Sequence, residues 1–506
     1  MLNSLRHVTA VLGLLSIAAC APLGPDFQEP EQAWLQDWQP QLYGESPAST
    51  ATGPVTLDAW WAQFSDPTLS ELMRVARSEN PSLRIAGLRI LESRALAGIA
   101  TGLSYPQVQT LSGNAAWVNQ HRAGGDTRDL SSGELAFNLG WELDFWGRFR
   151  RGIESADAAY FASIAAQRDA QVLLTAQLAT LYFNYKTTLQ RIEIAERNVA
   201  LQERSYQITE RRFERGQDSE LDLQQAKSQY LSTLATIPGL QLALTQTRNA
   251  LGALLGRAPG NVPELSAANS QLPVLEPSAL TAIPAQLLLR RPDVRAAAWQ
   301  AAAQSAQVGI AQADLYPAIS LFGVLSWSDN SLNILGETTQ LAVGPSVNWN
   351  LFNYGRIENS VRVQDARLQQ ALERFRGTAR NAAREMDDAA SRIARTRDTQ
   401  DILDQSLAAA ERSLTIATRR YQEGYSSFQR VLDAQAVTFA QSDRAVINRG
   451  QHVAAVIDLY RALGGGWTAA DNATFLPAAL RETMRERTDW GELLDAPLPQ
   501  EPDNTP

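Results

Sequence analysis

Two neighbouring stretches decide the fold: ELAFNLGWELDF at residues 134–145, and residues 153–215, which contain neither glycine nor proline. In the first stretch, apolar side chains occupy every second position and alternate with polar or small ones. This period of two predicts a β-strand with one apolar and one polar face. The second stretch would form a helix about 95 Å long at 1.5 Å per residue. Together they predict a mixed α+β fold that is mainly helical.

Three further stretches predict strands, although they alternate less cleanly. They lie at residues 107–117, 319–327 and 341–351, and glycine- or serine-containing loops at 124–126 and 328–331 would close two hairpins. A transmembrane strand has this alternation, but so does a soluble antiparallel sheet with one dry face. The strands alone leave both interpretations open.

A second long helix is predicted at residues 356–423, where Gly377 is the only glycine and proline is absent. Within the first long helix, apolar residues recur at heptad-like spacing, as at Val172, Ala176, Ala179 and Phe183. This spacing favours coiled-coil packing. A soluble coiled-coil dimer is the alternative, but it does not account for the strand hairpin that precedes each long helix.

The two halves of the chain repeat each other. The offsets between matching motifs stay within 208–212 residues, which indicates a duplication with the order helix, two strands, very long helix, tight turn and helix. The matching motifs are Tyr105-Pro106 and Tyr316-Pro317, Gly147-Arg148 and Gly355-Arg356, Arg211-Arg212-Phe213 and Arg419-Arg420-Tyr421, and Ala250-Leu251-Gly252 and Ala462-Leu463-Gly464.

Composition excludes several function classes. The chain has 506 residues and a net charge of -9, which disfavours a general nucleic-acid binder. A single cysteine and three well-separated histidines give neither a thiol pair nor a metal-ligand spacing. Neither lysine follows a glycine, and no Gly-x-Ser-x-Gly motif occurs. We therefore expect no enzyme activity, no cofactor and no metal.

The N-terminus has the pattern of a secretory signal. Arg6 precedes an apolar segment of twelve residues, too short to span a bilayer of about 30 Å, and the segment ends in Ile17-Ala18-Ala19-Cys20. That tetrapeptide looks like a lipobox, so Cys20 is a candidate for lipidation; an ordinary signal peptide containing a cysteine is the alternative. Because Ala21 replaces the aspartate that marks inner-membrane retention in enterobacteria, we expect the outer membrane.

Strand counting constrains the assembly. Four strands cannot close a membrane barrel, whose smallest single-chain form has about eight strands. An open strand edge inside a bilayer has no hydrogen-bond partners. Membrane-embedded hairpins would therefore have to be shared between chains, and three chains would supply twelve strands.

Several further motifs are specific. They are Gly24-Pro25-Asp26-Phe27, Trp60-Trp61 with Asp66-Pro67, Ile237-Pro238, and the diagnostic Leu289-Arg290-Arg291-Pro292-Asp293-Val294-Arg295-Ala296 that leads to Tyr316-Pro317. Through these motifs the chain resembles the TolC-like outer membrane factors of bacterial tripartite efflux systems, most closely the OprM/NodT lipoprotein branch. The resemblance extends from Cys20 to about Trp467.

This resemblance implies a homotrimer with a 12-stranded transmembrane β-barrel continued by a 12-helix periplasmic α-barrel. It implies a passive exit duct for drugs or other small molecules in the outer membrane lipids of a Gram-negative bacterium. The implied partners are a periplasmic membrane-fusion adaptor and, through it, an inner-membrane transporter of the resistance-nodulation-division type. The alternatives are the exit duct of a type I protein secretion system and a non-channel coiled-coil periplasmic lipoprotein.

The resemblance also implies site residues. The turns that close the helical hairpins, at Gly216 and Gly424, would form the periplasmic tip where the adaptor docks. Candidate pore and gate residues are Asp222, Tyr421, Arg430 and Asp433. Simpler interpretations exist: each glycine fits a left-handed helix end, and Asp433 fits a solvated helix face.

The motifs divide the chain into six segments. They are a signal peptide (1–19), a lipidated proline-rich strap (20–57), a first repeat (58–256), an equatorial linker (257–283), a second repeat (284–464) and a C-terminal equatorial segment with a disordered tail (465–506).

Overall fold

A computed structural model of the chain describes residues 22–37, 57–121, 123–125, 127–273, 285–330, 337–467 and 475–501. Cys20, the signal segment, much of the strap and Ser331 lie outside these residues. The second hairpin loop, predicted at residues 328–331, begins later than predicted, because residues 328–330 belong to the strand that ends at Asn330. No helix in the described part of the chain is long and apolar enough to cross a membrane.

Both halves follow the predicted order of helix, two strands, very long helix and return helix, but the first half has one more helix before its strands and a return path divided in two. After a short helix α1 (Trp34–Asp37), the first half contains α2 (Pro67–Glu79), α3 (Pro81–Gly102), β1 (Val108–Gln120), β2 (Arg128–Glu142), α4 (Arg148–Glu214), α5 (Glu220–Leu234) and α6 (Thr236–Leu254). The second half contains α7 (Pro292–Ala313), β3 (Ala318–Asn330), β4 (Thr338–Asn348), α8 (Arg356–Gln422) and α9 (Gln429–Ala462), and α10 (Ala478–Arg487) follows. Short 3-10 helices lie at Trp60–Phe64, Pro263–Ala267, Ala285–Arg290 and Gly491–Leu494.

The four strands form one antiparallel sheet in chain order, β1-β2-β3-β4. Directly paired residues share a face, and the register pairs Phe137 with Leu325 and Leu325 with Leu341. One face therefore carries odd-numbered residues, most of them apolar: Leu111, Leu135, Phe137, Leu139, Trp141, Leu321, Leu325, Trp327, Leu341, Val343 and Val347. The opposite face is mainly polar or small, with Thr110, Ser112, Asn114, Glu134, Asn138, Glu142, Ser320, Ser326, Gln340 and Ser346.

The apolar face is open to solvent in the single chain. Leu341 and Val343 are 72% and 75% exposed. The outer strands β1 and β4 each pair with one neighbour among the described strands. The sheet therefore presents an apolar surface and two unpaired edges.

The predicted second strand ends earlier than its sequence pattern suggests. The alternation continues to Phe145, whereas β2 ends at Glu142. The cause is Asp144, whose carboxylate accepts hydrogen bonds from the backbone N–H groups of Phe149 (3.0 Å) and Arg150 (2.9 Å) at the start of α4. An aspartate that caps a helix N-terminus stabilises the turn out of the strand.

The helical body is built around α4 and α8, each of 67 residues and about 100 Å long. The predicted heptad positions of α4 are buried, and Tyr182 and Phe183 lie in the largest apolar cluster with Phe64, Phe375 and Tyr460. The halves pack together where the Phe161 ring of α4 stacks on Trp299 of α7, with ring centroids 4.8 Å apart. Packing between the halves explains how so long a helix remains ordered.

The strap contacts the junction between sheet and helices. Arg151 of α4 is 3% exposed and donates to the carbonyls of Leu23 (2.9 Å) and Gly24 (3.1 Å) and to Asp26 (2.7 Å). A side chain at Gly147 would collide with Pro22 at 2.5 Å. The strap is not wholly extended, because α1 forms a single helical turn within it.

The C-terminal segment packs against the first half ahead of the predicted disordered tail, whose prolines are Pro497, Pro499, Pro502 and Pro506. Helix α10 lies in this region, and Arg94 of α3 donates to the carbonyls of Leu493 (2.7 Å), Ala496 (2.9 Å) and Pro497 (2.8 Å). Of these three residues only Pro497 belongs to the predicted tail, and its carbonyl binds the buried Arg94 guanidinium. Residues 502–506 lie outside the described residues.

Candidate functional site

The two hairpin turns have the same backbone geometry. Gly216 follows α4 at a φ of +69°, and Gly424 follows α8 at +79°. The Gly216 N–H donates to the Phe213 carbonyl and the Gln217 N–H to that of Arg212, both at 2.8 Å. The equivalent bonds after α8 run from Gly424 to Tyr421 (3.0 Å) and from Tyr425 to Arg420 (2.8 Å). Both turns are Schellman motifs, in which glycine supplies the left-handed conformation.

A polar cluster joins the two turns. Arg212 and Asp218 flank the first turn, and the Arg212 Nε donates to both Asp218 carboxylate oxygens at 3.0 and 3.1 Å. The Tyr421 hydroxyl, at the end of α8, donates to Asp218 Oδ2 at 2.9 Å. The Arg212 guanidinium lies 5.2 Å from the Tyr421 ring centroid. We call Arg212, Asp218 and Tyr421 the tip cluster.

The tip cluster is partly shielded from water, although the Arg212 side chain is 38% exposed. The Asp218 side chain is 9% exposed, and the Tyr421 ring packs on the buried Phe428, with centroids 5.1 Å apart. Burial and the Asp218 carboxylate raise the pKa of Tyr421 to about 12. The hydroxyl therefore stays protonated and keeps donating to Asp218 at neutral pH.

The predicted gate residues fall into two groups. Tyr421 belongs to the tip cluster, and Asp222 lies near it. Asp222 is the N3 residue of the capping box that begins α5: its carboxylate accepts from the Ser219 N–H (3.3 Å), and its own N–H donates to Ser219 Oγ (3.2 Å). Arg430 and Asp433 are exposed on α9 and do not belong to the cluster. Asp433 accepts a hydrogen bond from the Gln429 side chain at 2.8 Å.

Two members of the tip cluster, Arg212 and Asp218, were not among the predicted site residues. Comparing the repeats offers a signal that identifies them: at the 208-residue offset, Asp218 corresponds to Ser426 and Phe213 to Tyr421. Each half thus holds one polar partner that the other half lacks. The two positions at which the repeats differ, Asp218 and Tyr421, are the two whose side chains form a hydrogen bond.

The profile of the outer membrane efflux protein family matches residues 72–257 and 283–465. The chain belongs to this family. These ranges cover both structural halves, so the family assignment applies to most of the chain. As an outer membrane efflux protein, it is a component of an efflux system and not an enzyme.

Individual relatives agree with this assignment. The cation efflux system protein CusC of Escherichia coli O6:H1 (strain CFT073) is 30% identical over 90% of this chain and 97% of its own length. Nodulation protein T of Rhizobium leguminosarum bv. viciae is 31% identical over 88% of this chain and 90% of its own. Among solved structures, the outer-membrane channel OprN is 30% identical, with a TM-score of 0.79 over 88% of this chain and 99% of that one.

Proposed function

We propose that this outer membrane efflux protein is the passive exit duct of a tripartite pump and exports drugs or other small molecules as a homotrimer. The observation that carries the proposal is the two-faced sheet, with its exposed apolar face and two unpaired edges. Unpaired backbone groups are not tolerated in a bilayer, so the sheets of three chains would join into a 12-stranded barrel. The odd-numbered face would contact lipid and the even-numbered face would line the lumen.

The helical body would continue this channel into the periplasm. Each half supplies one long helix, α4 or α8, and a return path, which is α5 with α6 or α9. Four helical columns per chain give twelve in a trimer. Because the halves repeat each other, the resulting 12-helix α-barrel would be close to sixfold symmetric, with segments 58–256 and 284–464 as its repeating units.

The tip of the hairpins would close the duct. The tip cluster fastens the end of α8 to the first turn within one chain, so the two hairpins cannot separate without breaking it. Asp433 and Arg430, exposed beside the turns, would form charged rings at the mouth. A periplasmic adaptor would dock on the Gly216 and Gly424 turns and link the duct to an inner-membrane transporter of the resistance-nodulation-division type.

A lipid on Cys20 would anchor the chain in the outer membrane. The Leu23 N–H donates to the Trp146 carbonyl at 3.1 Å, between β2 and α4. Cys20 precedes Leu23 by three residues, which span at most about 11 Å of extended chain. An acyl group on Cys20 would therefore lie at the inner edge of the membrane that holds the sheet.

The test compares two neighbouring substitutions of opposite facing. Leu139→Arg on the apolar face should cost about 2–4 kcal/mol at mid-bilayer depth, whereas Asn138→Arg on the polar face should be mild. Trimer yield is measured by heat-modifiable migration in detergent, and channel activity is measured by planar-bilayer conductance. Equal damage from both substitutions would refute the facing. A stable trimer that conducts neither as the wild type nor after the tip bond is removed by Tyr421→Phe would refute the duct.

A further inference from the structure

A basic pocket lies beside the C-terminal helix, far from the tip. Its volume is about 570 Å³, and helices α2, α3, α4 and the segment leading into α10 form its walls. Among the described residues that line it are four arginines and no aspartate or glutamate; the arginines are Arg74, Arg77, Arg84 and Arg481. Carboxylates outside the pocket balance two of these charges, because Arg74 pairs with Glu71 at 2.8 Å and Arg481 with Asp495 at 2.9 Å. The pocket has the size of a small-molecule site and keeps a net positive lining.

The guanidinium groups are held in place by neighbouring groups. Arg77 donates to the Gly466 carbonyl at 2.9 Å and lies 4.8 Å from the ring centroid of Trp61. Arg84 donates to the Ser78 carbonyl at 3.0 Å, an acceptor without formal charge. Fixed side chains lose less entropy when a ligand binds, so the pocket is preorganised for an anion.

Two further features point to a ligand. Gln171 lines the pocket and is 5% exposed, yet its amide oxygen has no hydrogen-bond partner among the described residues. Buried polar groups ordinarily have partners. In addition, α10 begins at the pocket wall after Pro477, with no side-chain cap on its N-terminus. A helix N-terminus favours negative charge.

We propose that this pocket binds a ligand with two or more oxyanion groups, either carboxylates or phosphates, and at least one hydrogen-bond donor. Guanidinium groups bind both oxyanions in bidentate geometry. The Gln171 oxygen would accept the ligand's donor, and the α10 N-terminus would add backbone donors. The arginines come from both ends of the chain's sequence, so the ligand would also tie the C-terminal segment to the first repeat.

The pocket's position excludes one source of the ligand. Gln171 lies 23 residues beyond Arg148, where α4 begins, which is about 35 Å along the helix. If the sheet lies in the outer membrane, a point that rests on the proposed function, headgroups of that membrane cannot reach the pocket. The ligand is therefore a soluble or polymer-borne periplasmic anion.

The test is calorimetric titration of the full-length protein in detergent with inorganic pyrophosphate and, separately, with citrate. We expect saturable binding of at least one, weakened by added salt because the site is electrostatic. Tighter binding of pyrophosphate assigns a phosphate ligand, and tighter binding of citrate assigns a carboxylate ligand. Absence of saturable binding of either probe at millimolar concentration would overturn the proposal.

Matched variants connect binding to this pocket. The double variant Arg84→Gln with Arg481→Gln should weaken binding at least about tenfold, since one lost charge-assisted hydrogen bond is worth about that factor. Its control is Arg89→Gln with Arg487→Gln, which makes the same changes on the same two helices outside the pocket. Equal affinities in the two double variants would overturn the assignment. Bilayer conductance of the same preparations separates failure of this proposal from failure of the duct.

Discussion

Removing one hydroxyl from the tip cluster should open the duct. Tyr421→Phe keeps the ring that packs on Phe428 and contacts the Arg212 guanidinium, but loses the 2.9 Å bond to Asp218. A hydrogen bond to a charged group contributes about 1.5–3 kcal/mol. Because Asp218 keeps its ion pair with Arg212, we expect the lower end of that range.

That loss translates into a measurable change in opening. About 1.4 kcal/mol corresponds to a tenfold shift in an equilibrium, so each protomer should favour the separated hairpins about tenfold more than before. The shift would grow further if three protomers open together. Asp218→Asn should have a larger effect, because it removes the charge that both Arg212 and Tyr421 bind.

The assay is planar-bilayer recording of single trimers without adaptor. The control is Tyr425→Phe, which removes a hydroxyl from a tyrosine that is 82% exposed only four residues away. In a double-mutant cycle, Asp218→Asn and Tyr421→Phe should be strongly non-additive, since they remove the same bond. The reasoning would be refuted if Tyr421→Phe conducted like the wild type, or if Tyr425→Phe opened the duct equally.

Three further predictions concern other parts of the chain. Cys20→Ala should abolish metabolic labelling with a fatty acid and impair localisation, while the sheet still inserts; a wild type that takes up no label would exclude lipidation. Asp433→Ala should reduce the cation preference of the channel and Arg430→Ala should strengthen it, as measured by reversal potentials; no change in either variant would place both side chains outside the pore. Burial, with Asp293 and Glu385 nearby, raises the pKa of Asp169 to about 6. As the pH rises from about 4 to 6, this carboxyl ionises in the unfolded chain but stays protonated in the folded one, so the folded state loses stability. Asp169→Asn should therefore stabilise the protein by about 3 kcal/mol at pH 7 and by little at pH 4, and denaturant unfolding at the two pH values compares the variants.

Local patterns predicted most of the fold. The period of two located all four strands, and two long stretches without proline, the second with Gly377 alone, located both long helices, because these signals depend on neighbouring residues. The end of β2 required knowledge of a side-chain hydrogen bond: nothing in the alternation through Phe145 shows that Asp144 binds the backbone of α4. The packing of the C-terminal segment required tertiary information, since its carbonyls bind Arg94 from a helix about 400 residues earlier.

The tip shows a different limit of sequence analysis. The turns were predicted because glycine at a helix end has a local cause. The bond between Asp218 and Tyr421 joins residues 203 positions apart, and no single-sequence pattern fixes such a pairing. Resemblance directed attention to Asp433 and Arg430, which lie on an exposed helix face, while the half-buried ion pair of Arg212 and Asp218 was overlooked.

The overlooked pairing bears on how the duct would close. The repeats match in the sheet, the long helices and the backbone of the turns, but not in the side chains of the tip cluster. Phe213 has no hydroxyl to offer where Tyr421 has one, and Ser426 has no charge where Asp218 has one. The bond between the turns therefore forms once per chain, not twice. A trimer whose walls are nearly sixfold would be closed by three such bonds, so breaking them would separate hairpins in three places. Opening would then be threefold, and an adaptor would need to distinguish the Gly216 turns from the Gly424 turns.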